Sequence, residues 1–270
     1  MIPGPKPYFL KVDPGLRFCL LHEPPSGATR RGCIVYVHPF AEELNKTRRM
    51  AALQAQALSL LGFSVLLIDL YGCGDSSGDF SDARWSDWRQ DIACACAHIL
   101  ALAAGPLILW GTRLGALLAL DHAATMPEQP AALLFWQPVL SGDTHLRQFF
   151  RLQSAARLLS PELEPSDINE AAVEVGGYII SRGLQCDIRA LDTQSLRPAC
   201  PVLWLEQPGS SSLEVPQASA NVIQRWAHAG TRIKTAVTAG PQFWATSEVT
   251  ECPSFLAATQ KFLMQDGWNE

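Results

Sequence analysis

With 270 residues and 48% hydrophobic content, the chain can bury one large core, or a core carrying an inserted cap, without cross-links. A formal charge of -5, with basic residues scattered apart from Lys46, Arg48 and Arg49, excludes an electrostatic case for nucleic acid. The start MIPGPKPYFLKV carries prolines where a signal peptide needs an apolar run, and no apolar stretch reaches bilayer length, so the chain reads as cytoplasmic with no integral membrane segment.

After a hairpin-like start, Gly32 to His38 (GCIVYVH) is a continuous β-branched run that suits a strand buried on both faces. A helix is expected over 47–61, capped by Thr47 and ended by Gly62. Phe63 to Leu70 (FSVLLIDL) is a second buried strand, followed by the glycine-rich loop YGCGDSSG. Trp85, Trp88, Ile92 and Ile99 have helical spacing over about 83–104, and Gly105-Pro106 marks the stop. Leu107 to Trp110 is the next strand, leading through a sharp turn into the helix ALLALDHAA, and Ala131 to Trp136 restores the strand pattern. From about 141 to 196 the alternation gives way to helical, more polar sequence such as LRQFFRLQSAARLL and NEAAVEVGGYIIS, the expected cap. Strand and helix then alternate again through PVLWLE, a helix near 217–229, a strand over 232–238 and a helix near 254–264. Such alternation with short connections implies a mostly parallel sheet covered by helices on both faces, with core segments 1–140 and 197–270.

The turn Gly111-Thr112-Arg113-Leu114-Gly115 has the glycine spacing of the G-x-S-x-G elbow of the α/β-hydrolase fold, in the right strand-to-helix context. Its central residue, however, is Arg113, and a guanidinium protonated up to pH ~12 is no acyl-transfer nucleophile. Where a catalytic histidine would follow the last strand, the chain reads Ala239-Gly240-Pro241-Gln242-Phe243-Trp244, and its final histidine is His228. Ser212 stands where the D-x-x-V-P pattern would place aspartate, leaving Glu206 and Glu214 as the nearby acids. Two missing members argue against the usual serine-histidine-acid mechanism.

HPFAEELNKTRR, DLYGCGDSSGDF, LWGTRLGALLAL, FWQPVLSGD and PQFWATSE together resemble the exosortase A system-associated hydrolases of the second type, through most of the chain. The resemblance implies an α/β-hydrolase fold and a bacterial protein encoded near machinery that sorts tagged proteins, often beside exopolysaccharide production. It implies possible protein partners in that system and no particular substrate.

His38, Pro39 and Phe40 fall at the oxyanion-hole loop, so the N–H groups of Phe40 and Leu114 are candidate donors to a bound oxygen. Arg113, at a helix start, is either an anion site for a carboxylate, phosphate or sulfate or a plug paired with Glu42, Glu43 or Glu206. The same three acids are candidate general bases for a water-based ester or thioester hydrolase, the alternative to a non-catalytic or ligand-binding homologue. Phe243 and Trp244 either line a ligand pocket or pack the core rim. Cys73, Asp75 and Ser76 read as turn formers, Lys46, Arg48 and Arg49 as a solvated helix start, and His22, His98, His122, His145 and His228 stand in no recognisable constellation. No metal or cofactor is called for: the eight cysteines lack ligand spacing and read as mostly structural thiols.

Overall fold

A computed structural model describes residues 4–159, 172–209 and 213–265. Ten strands are present among these residues: β1 Lys6–Lys11, β2 Leu16–His22, β3 Gly32–Val37, β4 Phe63–Ile68, β5 Leu107–Thr112, β6 Ala132–Trp136, β7 Val173–Val175, β8 Tyr178–Ile180, β9 Val202–Glu206 and β10 Ile233–Val237. The helices are α1 Glu42–Leu60, α2 Trp85–Leu102, α3 Leu114–Ala123, α4 Gly142–Leu159, α5 Arg182–Arg189, α6 Gln217–His228 and α7 Pro253–Met264. Eight strands form one sheet in the order β1-β2-β4-β3-β5-β6-β9-β10, and β7 pairs with β8 apart from it. From β4 to β10 every neighbour pair is parallel, while β1–β2 and β2–β4 are antiparallel.

Alternate residues of each central strand serve opposite faces, as the period of two requires. Val35, Leu109, Phe135 and Trp204 pack against α2, α3 and α6, whereas Ile34, Trp110, Trp136 and Leu205 pack against α1 and α7. All six residues of both β3 and β5 are buried, which is why they read as continuous apolar runs.

Two local expectations are corrected. Helix α1 begins at Glu42, not Thr47, because a left-handed corner at Ala41 (φ 48°) turns the chain and two acids, Glu42 and Glu43, complement the positive end of the helix. Thr47 instead lies inside α1, its hydroxyl donating to the carbonyl of Leu44. The stretch VEVGGYII is not helical: Gly176 and Gly177, at φ 57° and 83°, supply the two positive-φ residues of a tight hairpin turn between β7 and β8. Residues 169–171 of the same run and Ser212 lie outside the described residues.

The glycine-rich loop is held from below by an ion pair of two fully buried side chains, Arg17 Nε to Asp91 Oδ1 at 2.6 Å. Asp91 also accepts from the Tyr71 N–H at 2.7 Å, and the Arg17 guanidinium lies 4.7 Å from the Tyr71 ring centre. Burial outweighs these partners and pushes the Asp91 carboxyl up to about 6. Asp69 fastens the other side of the loop by accepting from Arg48 and from the Asp75 N–H. Lys46 and Arg49 pair with Glu42 and Glu251, so all three clustered cations have acidic partners.

Candidate functional site

The elbow between β5 and α3 is fully formed. Its glycines are needed for contact: a Cβ on Gly111 would come within 2.4 Å of Ala116 Cα, and one on Gly115 within 2.3 Å of the Val37 carbonyl oxygen. Arg113 sits at the apex with φ 54° and ψ −121°, a sparsely populated region for a residue with a side chain. Its carbonyl accepts from Ala116 and Val139 and its N–H donates to Trp136, so backbone bonds pin the corner on three sides.

The Arg113 side chain runs into a nest of partners rather than into open solvent. Its Nε lies 3.2 Å from Glu43 Oε1, with the two side chains 18% and 17% exposed. Nη1 reaches the Gln137 carbonyl at 3.5 Å, and the guanidinium carbon lies 5.5 Å from the centre of the Trp244 ring. Of the three acids considered from sequence, Glu43 is therefore the one that pairs with Arg113. Glu42 faces outward and pairs with Lys46 at 3.1 Å. Glu206, 1% exposed at the end of β9, accepts from Trp204 Nε1 at 2.8 Å and keeps its other oxygen unpartnered; burial pushes its carboxyl above the usual range.

The oxyanion loop is braced by His38. Its Nε2 accepts from the Leu70 N–H at 3.2 Å while Nδ1 sits 2.8 Å from the Pro39 carbonyl, an arrangement that fixes the neutral ring with the proton on Nδ1. Burial lowers its pKa in the same sense. Among the described residues, no acceptor takes the N–H of Phe40 or of Leu114, the two candidate oxyanion donors. Thr112 is fully buried with its hydroxyl unpartnered and is not at the apex. Behind the loop, the space lined by His38, Phe40, Trp85, Trp88 and Leu118 is only about 10 Å³. Phe40 fills it by meeting Phe80, Trp88 and Phe149 at 5.3–6.3 Å.

Past β10, where a catalytic histidine would stand, Phe243 is wholly buried against Trp136 and Phe255, so it packs the core. Trp244 is nearly buried too, but its ring carries Arg113. Three glutamines tie the neighbouring loops: Gln137 Oε1 accepts from the Gln207 N–H at 2.6 Å, Gln207 Nε2 donates to Pro241 O at 2.6 Å, and Gln242 Nε2 donates to Gln207 O at 3.2 Å.

One residue belongs with the site although nothing in its sequence neighbourhood marked it. His145 of α4 is 5% exposed, its Nε2 has no partner, and Glu43 and Arg113 both act on its charge. Burial, then the Arg113 cation, lower its pKa to about 4 against the opposing pull of Glu43. The only advance signal was the helical spacing of 141–159, which leaves open what the helix faces. Glu43 likewise has one buried oxygen, Oε2, without a partner.

Beside Arg113 opens a pocket of about 320 Å³ lined by Arg113, Leu140, Ser141, Thr144, His145 and Gln148, among others, with Ala218 from α6. It lies at the N-terminal ends of three helices: α3 starts at Leu114, α4 at Gly142 and α6 at Gln217. Each such end carries a partial positive charge, although at α4 the N–H groups of Gly142, Thr144 and His145 already donate to the Leu191 carbonyl, the Ser141 hydroxyl and the Ser141 carbonyl. Cys73, by contrast, is buried with its thiol pushed up by that burial, and no group of three or more His, Cys, Asp or Glu among the described residues is placed to hold a metal. No helix among them is long and apolar enough to cross a membrane.

Comparison with known proteins places this geometry. The chain is 32% identical over 119 residues to the mitochondrial palmitoyl-protein thioesterase ABHD10 of Pongo abelii, a match covering 44% of this chain and 37% of that protein. It is 30% identical over 146 residues to human protein ABHD12B, covering 47% and 39% of the two. The match thus spans less than half the length of these relatives. Among solved structures, the esterase Est1E of Butyrivibrio proteoclasticus with ferulic acid bound superposes with a TM-score of 0.66 at 16% identity, over 95% of this chain and 98% of that one. A soluble variant of monoglyceride lipase from Saccharomyces cerevisiae gives 0.67 at 14% identity, over 97% and 96%. These likenesses establish the α/β-hydrolase fold. The family model described as serine aminopeptidase, S33, matches residues 28–180, more than half the chain, and the protein therefore belongs to that α/β-hydrolase family.

Proposed function

We propose that this member of the family does not form an acyl-enzyme and instead binds an anionic or acyl ligand in the pocket beside Arg113, in the bacterial exosortase and exopolysaccharide setting that its sequence blocks resemble. The observation that carries this reading is the convergence of a guanidinium and three helix N-termini on one pocket. A polypeptide that only needed to close a vacated site had no requirement for a cation there, since apolar side chains fill such space without a desolvation penalty. The thioesterase named among the relatives would need a nucleophile at the apex, and Arg113 supplies none. Cytoplasmic partners from the sorting or polysaccharide machinery fit the same reading, and co-purification with neighbouring gene products tests them.

The direct test is calorimetric titration of the protein with short carboxylates beside a hydrolysis assay on activated acyl esters and thioesters. Binding that is lost in Arg113→Gln, with hydrolysis at background, supports the proposal; turnover that exceeds background and disappears in Glu43→Gln overturns it. The latter outcome defines the second reading, water attack assisted by a general base. It is favoured by the unpartnered Oε2 of Glu43, and such help contributes about 10² to 10⁴ in rate.

A further inference from the structure

We infer that the free edge of β10 is a docking surface for a second copy of this chain, joined strand to strand about a two-fold axis at Thr235. The inference does not depend on what the pocket beside Arg113 binds. It starts from the backbone.

Among the described residues β10 is the outermost strand of the sheet, paired on one side only, with β9. The Val202 N–H donates to the Arg232 carbonyl at 2.9 Å and the Thr238 N–H to the Glu206 carbonyl at 3.0 Å, which fixes the phase of the parallel ladder. Ladder bonds fall on alternate residues, so Arg232, Lys234, Ala236 and Thr238 face β9 while the N–H and C=O groups of Ile233, Thr235 and Val237 point away from the sheet. Among the described residues, none of these outward groups has a hydrogen-bond partner, and Thr235 is exposed. An edge of this kind is a template for another strand unless proline, charge or a bulge blunts it. The opposite edge is blunted: β1 (KPYFLK) carries Pro7, which lacks a donor, and a lysine at each end. β10 (IKTAV) has no proline, three β-branched residues and a single charge.

What selects a second copy is the symmetry of the segment. An antiparallel pairing of β10 with itself, centred on Thr235, sets Thr235 opposite Thr235, Ile233 opposite Val237 and Lys234 opposite Ala236. Each outward residue then donates one backbone bond and accepts one, apolar side chains meet, and no cation lies opposite a cation. Centring on Lys234 instead would set two ammonium groups directly opposite, and centring on Ala236 would leave Ile233 facing a residue beyond the strand. A five-residue strand is only about 17 Å long, too little for a stable interface alone. The flanking helices supply the rest: Ile233 packs on the α6 side of the sheet and Ala236 on the α7 side, so across the axis each of these helices comes to lie beside its own copy. The strand directions oppose, so the two elbows, at the carboxyl ends of their strands, open at opposite ends of the dimer and stay uncovered.

Sedimentation velocity of the full chain across the micromolar range tests this, and the natural protein is expected to shift from monomer to dimer as concentration rises. Thr235→Pro removes an N–H that faces away from β9 and so spares the β9–β10 ladder; its dissociation constant is expected to rise about tenfold or more, as two lost hydrogen bonds imply. Thr235→Lys and Thr235→Glu each set like charges opposite one another at the axis. Each alone is expected to stay monomeric, and an equimolar mixture of the two to recover the dimer, because only the mixture sets opposite charges there. A natural protein that remains monomeric throughout overturns the inference, and so does a dimer that these variants leave unchanged. A mixture that fails to recover the dimer overturns it as well, by placing the contact elsewhere. Should circular dichroism show that Thr235→Pro does not fold, the charged pair of variants decides alone.

Discussion

Arg113 and Glu43 form a pair that is neither fully dry nor freely solvated, and each keeps unused hydrogen-bonding capacity facing its surroundings. An entering carboxylate competes with Glu43 for the same guanidinium. Replacing Glu43 by Gln removes that competing charge and preserves the side-chain shape, so anion affinity is expected to rise on the order of tenfold, the scale of one charge-assisted hydrogen bond. Titration of Glu43→Gln beside the natural protein checks this, and weaker binding would mean that Glu43 serves to orient the cation. The sequence already pointed to Arg113 as a non-nucleophile, because the glycine spacing locates the apex from a single strand-turn-helix. It left open which acid Arg113 meets, because Glu42 and Glu43 are adjacent and the helix phase that turns one inward depends on the corner at Ala41.

Among the elements, the join between the antiparallel β2 and helix α2 depends on the Arg17–Asp91 pair. Arg17→Met would leave Asp91 buried without its cation, a change expected to destabilise by about 3–5 kcal/mol at pH 7. Asp91 in the fold already titrates near 6, above its ordinary 3.8, so the folded state takes up its proton first as pH falls. Protonation relieves the orphaned charge, and the deficit of Arg17→Met should therefore be smaller at pH 5 than at pH 7. Urea unfolding at the two pH values measures it; an equal deficit at both would show that the loss is one of packing. Element order was legible because strands buried on both faces leave unbroken apolar runs. The β7–β8 hairpin was not, since three-residue strands are shorter than either period needs to declare itself, and only the paired glycines gave a cue.

For the molecule as a whole, two buried histidines contribute to the acid response, beside the burial-lowered His22 and His38 and against the raised carboxyl of Asp91. His122 and His145 each titrate near 4 in the fold, against 6.5 when exposed, chiefly through burial. Both states are neutral above pH 6.5. Below it the unfolded chain binds protons that the folded one refuses, so stability falls from about pH 6.5 to 4 and then levels, by on the order of 3 kcal/mol for each ring. His145→Phe, which keeps an aromatic ring against Phe40 and Phe149, is expected to flatten its share of that slope without affecting stability above pH 7. Melting temperatures from pH 4 to 8 decide it. His145 could not be placed from sequence because it approaches Glu43 across 102 positions, and only the docking of α4 over the sheet brings the two together.

The corner at residue 113 also bears on how this chain is maintained. A φ of 54° with a ψ of −121° disfavours any residue with a Cβ by about 1–3 kcal/mol, and glycine alone would relax it. Arg113→Gly removes this strain and the cation paired with Glu43 together, so a melting temperature above that of the natural protein would show that the strained corner outweighs the ion pair, and one below it that the pair is the larger contribution.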